Sequence, residues 1–194
     1  MTVVIACLGD SITAGSPLWD PDPAARRKIE NPDERSQWLW WAMRMHGELD
    51  LRNFGVYGER TDEIAKRFAQ AIDGAEAIVV QGGINDVVQG RPVEQAAANL
   101  AGMMHRARHA GLRVALCDVL PWNNGDSRAA GDIEKLNGLL RSIAEGHDVP
   151  LFHFSEVLAD PARPSRMRET LTDDGDHPSV EGHRLLGERA FVPF

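Results

Sequence analysis

Ser11, Asp174 and His177 have the residue types and spacing that a proton-relayed nucleophile needs. Ser11 comes directly after Gly9-Asp10, at the end of the apolar run Val3-Val4-Ile5-Ala6-Cys7-Leu8. Near the other end of the chain, Asp174-Gly175-Asp176-His177-Pro178 sets a carboxylate three residues before an imidazole, within a turn. This spacing lets Asp174 accept from His177 Nδ1–H and leaves Nε2 to take a proton from Ser11. A hydroxyl nucleophile also needs donors for the oxyanion it creates. Gly58 suits that need, because its N–H can approach a substrate with no Cβ in the way. The Asn85 amide would reach the same oxygen, with Ser11 N–H as third donor and Asp86 bracing the loop.

Each residue also has a plainer use. Ser11 suits a helix N-cap, and Gly58 and Asn85 suit turns. The acidic turn suits a helix cap or, through Asp173, Asp174, Asp176 and His177, a metal site. Placement separates these uses. Apolar runs at 3–8, 49–54, 77–81, 112–119 and 149–154 read as strands. Helical patterns alternate with them over 37–46, 62–71, 93–109, 132–145 and 180–190. Such alternation, with strands apolar throughout, predicts an α/β fold in one domain over 1–194, its parallel sheet covered on both faces. Ser11, Gly58, Asn85 and Trp122 then follow four successive strands, and Asp174 with His177 precede the last helix. In a parallel sheet these loops emerge at one edge. Five segments bring polar residues to one rim, a convergence that packing does not require.

Other stretches carry weaker expectations. Segment 16–35 has four prolines and no periodicity, which predicts a long ordered loop walling the site. Ser36 is placed to cap the 37–46 helix, whose core stripe would be Trp38, Trp41, Ala42 and Met45. Leu39, Trp40 and Met43 fall off that stripe and would suit a substrate cleft or the interface of a homo-oligomer. Ile64, Ala65, Phe68 and Ile72 would share the buried face of the 62–71 helix. His183 reads as a surface residue. Arg60 and Trp122, with Trp40, are the candidates for substrate contact. Arg60 is expected to pair with Glu59, Asp86 or a bound anion.

The formal net charge of -8, with a pI near 5.3, argues against nucleic acid or an anionic membrane surface as partner. Cys7 and Cys117 lie in apolar runs without metal-ligand spacing and read as buried free thiols. No apolar run is long enough to span a bilayer, so stable membrane association is not expected. The N-terminus lacks the features of a signal peptide, and a cytoplasmic location is the expectation.

Taken together, the blocks resemble the SGNH hydrolases, also called the GDSL esterase/lipase family. Gly9-Asp10-Ser11-Ile12 resembles the first block, with Ile where Leu is usual. Asn53-Phe54-Gly55-Val56-Tyr57-Gly58-Glu59-Arg60-Thr61 resembles the second, Gly83-Ile84-Asn85-Asp86 the third and Asp174-Gly175-Asp176-His177-Pro178 the last. The resemblance implies a three-layer α/β/α sandwich, flavodoxin-like, with a five-stranded parallel sheet. It implies cofactor-free ester hydrolysis with Ser11 as nucleophile, His177 as base and then acid, and Asp174 as orienter. It further implies an oxyanion hole of Ser11, Gly58 and Asn85, and no metal. The chain departs from many members in segment 16–35 and at Glu59-Arg60. The substrate expected is a small-molecule ester, short acyl or acetyl, of a carbohydrate or metabolite. Lysophospholipase or thioesterase activity is the alternative within the family. A metal-dependent phosphoesterase using 173–177 and a non-catalytic binding module are the rivals outside it.

Overall fold

The computed structural model describes residues 2–194. The first apolar run forms β1 (Val3–Gly9), and Asp10 turns it directly into the one-turn helix α1 (Ser11–Ala14). Then come α2 (Pro23–Arg26), a 3-10 turn over Glu34–Ser36, α3 (Trp38–Met45) and β2 (Leu49–Gly55). The middle of the chain folds as α4 (Thr61–Ile64), α5 (Phe68–Ala71), β3 (Ala77–Val80), α6 (Ile84–Val88), α7 (Val93–His109) and β4 (Arg113–Cys117). The last third has α8 (Ser127–His147), β5 (Leu151–Phe152), α9 (Phe154–Leu158), the hairpin β6 (Ala159–Asp160) and β7 (Arg163–Met167), and α10 (Val180–Leu185). A π-helical turn, Leu186–Ala190, follows α10.

Strands β1 to β5 form one sheet in the order β2-β1-β3-β4-β5, with every pair parallel. This is the flavodoxin-like order. The chain leaves β1 for β2 on one flank and resumes with β3 on the other, so a crevice opens at the carboxyl end of β1. Side chains of β1 alternate between two cores, as the strand period requires. Ala6 and Leu8 join Ile64, Leu100 and Leu136 on one face. Ile5 and Cys7 join Trp38, Phe154 and Leu186 on the other. Full burial of side chains of this size stabilises the fold by roughly 1.5–3 kcal/mol apiece, which holds both helical layers against the sheet.

Several expectations need correction. Ser36 does not cap α3; its hydroxyl donates to the carbonyls of Gly15 and Asp33, at 2.6 and 3.0 Å. The buried stripe of α3 is Trp38, Leu39 and Ala42, while Met45 is exposed. The π-helical turn crosses this helix so closely that a Cβ on Gly187 would lie 2.3 Å from the Trp38 carbonyl, and Leu39 is buried in the same core as Leu186 of that turn. Met43 packs against the same core and its sulfur faces the Leu51 N–H. The helix predicted over 62–71 is broken by a 3-10 turn at Ala65–Arg67. The fifth strand keeps only two residues, and the chain between it and the Asp174 turn forms α9 and the β6–β7 hairpin. His183 is fully buried, not at the surface. Cys7 and Cys117 are free and buried, and burial pushes both thiols up. No helix among the described residues is long and apolar enough to cross a membrane.

Candidate active site

Asp10 carries the chain from β1 into α1. Its Oδ1 accepts from Ile12 N–H at 2.9 Å, which caps the helix and sets Ser11 at the first helical position. The Ser11 N–H is therefore one of the donors that a helix start leaves without an internal partner. Gln81, just past β3, fixes this corner. Its Oε1 accepts from Asp10 N–H at 3.2 Å and from the Thr13 hydroxyl at 2.8 Å. From the β2 side, Asn53 Nδ2 donates to the Thr13 carbonyl at 2.9 Å. Gly55 must be glycine, because a Cβ there would lie 2.1 Å from Ala14 N.

His177 comes from the far end of the chain to meet this corner. The Ser11 hydroxyl lies 3.1 Å from His177 Nε2, and His177 Nδ1 lies 2.8 Å from Asp174 Oδ2. A carboxylate can only accept, so the proton sits on Nδ1 and Nε2 is free to accept from Ser11. Asp174 Oδ1 also accepts from the N–H groups of His177 and Asp176, at 2.7 and 2.8 Å. Burial alone would push the Asp174 carboxyl up, but the hydrogen bonds from His177 and Asp176 outweigh it and hold the group below its ordinary value.

Side chains from the loop after β4 hold the turn that carries this pair. Trp122 Nε1 donates to Asp176 Oδ1 at 2.6 Å. Asn124 Nδ2 donates to the same oxygen at 2.6 Å and to the Asp174 carbonyl at 2.9 Å. Asn123 N–H donates to the Gly175 carbonyl at 3.0 Å. Asp174 and Asp176 are each occupied in this way. Among the described residues no group of three or more acidic, His or Cys side chains is placed to hold a metal ion.

The other two predicted donors flank the same corner. Gly58 has φ +77°, a conformation that favours glycine, and the space where a Cβ would stand is open. Asn85 is the second residue of α6, which begins on the left-handed Gly83. Its Nδ2 donates to the Glu59 carbonyl at 2.9 Å, tying the loops after β2 and β3 together, and a second N–H remains on the amide. Asp86 braces the loop as expected, accepting from Thr61 N–H and the Thr61 hydroxyl, each at 2.9 Å.

The substrate-contact candidates stand apart from one another. Trp122 belongs to the clasp on the His177 turn. The Arg60 guanidinium bonds Asp62, Glu63 and Gln89 at 3.0, 3.0 and 3.1 Å. Its expected partners Glu59 and Asp86 are taken by Arg67 and Thr61 instead. Trp40 is half-buried, edge-on to Trp41 and beneath the Arg44 guanidinium. Segment 16–35 is ordered by contacts of its own. Arg26 stacks on Trp19 and donates to the Asp20 carbonyl, and Asp33 N–H donates to the Leu18 carbonyl.

The model of the GDSL-like Lipase/Acylhydrolase family matches residues 7–185, from β1 to the end of α10. This chain belongs to that family. It is a carboxylic ester hydrolase. Solved structures share the fold. A lipolytic protein of the G-D-S-L family from Desulfitobacterium hafniense is 21% identical over 97% of both chains, with a TM-score of 0.79. A lipase/acylhydrolase from Enterococcus faecalis is 23% identical over 96% of this chain and 92% of its own, with a TM-score of 0.75. A G-D-S-L lipolytic family member from Veillonella parvula is 19% identical over 96% and 94%, with a TM-score of 0.76. No curated protein matches this chain in sequence.

This GDSL-like hydrolase also has site residues that the motifs did not single out. Asp10 is fully buried, its Oδ2 meets no protein partner, and burial pushes its carboxyl up to about 6. Gln81, Arg67 and Asn124 act on the site through other residues, Asn124 alongside Trp122, which the sequence had offered as a substrate contact. Their signal was position alone, since each lies one to a few residues from a strand end or motif block.

Proposed function

We propose that this hydrolase is a serine esterase of short acyl or acetyl esters, with a small-molecule ester of a carbohydrate or metabolite as substrate. The observation that carries the reading is the continuous chain from Ser11 Oγ to His177 Nε2 at 3.1 Å and from His177 Nδ1 to Asp174 at 2.8 Å. Ser11 Oγ attacks the ester carbonyl carbon as its proton passes to Nε2, and Asp174 holds the resulting imidazolium. The carbonyl oxygen becomes an oxyanion that accepts from Ser11 N–H, Gly58 N–H and Asn85 Nδ2–H. The carbon–oxygen bond to the alcohol then breaks, and the alcohol takes the proton from Nε2. Water attacks the acyl-enzyme by the same route, which returns Ser11 and the acid. The cycle as drawn needs no cofactor.

The apolar residues support a short acyl group. Leu39 and Met43, which suited a long chain, belong to the core, and Trp40 packs on Trp41 and Arg44. The test is hydrolysis of p-nitrophenyl acetate and p-nitrophenyl octanoate by the wild type and Ser11→Ala. The acetate should be the better substrate, and Ser11→Ala should abolish both activities along with labelling by a fluorophosphonate probe. Retained activity in Ser11→Ala would overturn the proposal.

A further inference from the structure

Among the described residues Tyr57 is the most exposed of the large apolar and aromatic side chains, at 65%, and it stands immediately before the proposed oxyanion glycine. Its ring centroid lies 6.0 Å from that of the His177 imidazole, with the two planes 32° apart. The loop that carries it is pinned on both sides. Val56 N–H donates to the Gly9 carbonyl at 3.0 Å, and Gly55 is pressed against α1. Beyond Tyr57, the Glu59 carbonyl accepts from Asn85, and the Glu59 carboxylate is held by Arg67. The phenol is thus held out into solvent by a rigid loop, beside the imidazole and with open space over Gly58.

Resting on the serine-esterase reading, we infer that Tyr57 is the specificity-determining residue for the alcohol half of the ester. The leaving oxygen takes its proton from His177 Nε2, so the alcohol must lie against His177 while the acyl carbonyl points to Gly58 and Asn85. The ring beside His177 therefore borders the alcohol. A fixed, exposed aromatic face packs well against another flat face, either an aryl ring or the C–H face of a pyranose, and gains little from a small flexible alkyl group. The substrate class this assigns is an ester whose alcohol is a ring.

The experiment compares acetates that differ only in the alcohol: p-nitrophenyl acetate, a mono-acetylated methyl pyranoside and ethyl acetate. For each ester kcat/KM of Tyr57→Ala and Tyr57→Phe is divided by that of the wild type, which cancels the intrinsic reactivity of the ester. This constant covers acylation, the half-reaction in which the alcohol is present. Tyr57→Ala should lose about tenfold on the two ring acetates and less than about twofold on ethyl acetate. Tyr57→Phe, which keeps the ring, should stay within about twofold of wild type on all three. The rank of p-nitrophenyl esters by acyl length should not change. Equal losses on all three acetates in Tyr57→Ala would mean that Tyr57 serves the imidazolium and not the alcohol, and would overturn the inference. So would a changed acyl-length rank, or a loss in Tyr57→Phe equal to that in Tyr57→Ala. A wild type that neither turns over these esters nor takes up a fluorophosphonate would instead overturn the serine-esterase reading itself.

Discussion

The Arg67 guanidinium holds the Glu59 carboxylate in a fork, Nε at 2.8 Å and Nη2 at 2.6 Å from Oε2. The same guanidinium donates to two strand-end carbonyls, Phe54 at 2.8 Å and Gly9 at 3.1 Å. One side chain thus fastens the ends of β1 and β2 to the residue that follows Gly58. The pair is partly buried, and Arg offers a fork that Lys cannot match.

Arg67→Ala should therefore weaken both the fold and the hole. Removing it leaves the Glu59 carboxylate without its guanidinium partner and takes one donor each from the Phe54 and Gly9 carbonyls, a loss on the order of 1–3 kcal/mol in stability. Because Asn85 hangs on the Glu59 carbonyl, kcat should fall about tenfold or more while KM stays within about twofold. Arg67→Lys should recover only part of either loss. Thermal unfolding and p-nitrophenyl acetate kinetics on the two variants check this, and an Arg67→Ala enzyme with unchanged kcat would refute it.

The Asn124 clasp gives a second prediction. Asn124→Ala removes the hydrogen bonds to the Asp174 carbonyl and to Asp176 Oδ1, leaving Trp122 as the remaining side-chain donor to Asp176. Asp174 and His177 should still pair, but their turn should lose its fixed distance from Ser11. A drop in kcat of about tenfold to a hundredfold is expected, since displacement of about 1 Å carries that penalty. The His177 Nδ1–H proton resonance should be broader than in the wild type. A change in stability without a change in this resonance would make the clasp merely structural.

His183 should govern the acid end of the stability curve. Burial without a protein partner for either ring nitrogen pushes it down to about 3 from an ordinary value of 6.5. Between those values the unfolded chain binds a proton that the folded chain refuses, so stability falls as pH drops from about 6.5 toward 3. Asp10 acts in the opposite sense. Burial raises it from 3.8 to about 6, so the unfolded chain releases a proton that the folded chain keeps, and stability falls as pH rises through that window. His183 thus contributes lability toward acid, and Asp10 opposes it. His183→Leu should therefore flatten the fall in Tm between pH 6.5 and pH 4. Asp10→Asn keeps the capping oxygen and should raise Tm at pH 7 but not at pH 4. Calorimetry at these pH values decides both.

The sequence carried the strand-to-helix alternation and the rim because both depend on local pattern. The helix at 93–109 appears as Val93–His109, and the residues after β1, β2 and β3 stand where their spacing places them. What was not legible depends on a third body. Leu39 is buried in a core that includes Leu186 of the π-helical turn, far away in sequence. His183 looked polar enough for the surface, but it lies on the buried side of α10 with Gly182 and Leu185, while Glu181 is exposed. Glu59-Arg60 looked like an adjacent ion pair, yet Glu59 turned to Arg67 and Arg60 to Asp62 and Glu63. The β6–β7 hairpin is short, and four of the five β7 residues are exposed, so it had no apolar alternation to announce it.

The position of β1 between β2 and β3 also bears on how activity is acquired as the chain folds. In the proposed mechanism Ser11 draws its two neighbouring donors from opposite flanks, Gly58 after β2 and Asn85 after β3, and its base from 166 residues away. Parallel pairs close only through long connections, so none of these contacts is local. No fragment and no half-formed sheet can assemble the site. Turnover is a late event on the folding pathway, and regain of esterase activity would time the closing of the central three strands and the docking of the His177 turn together.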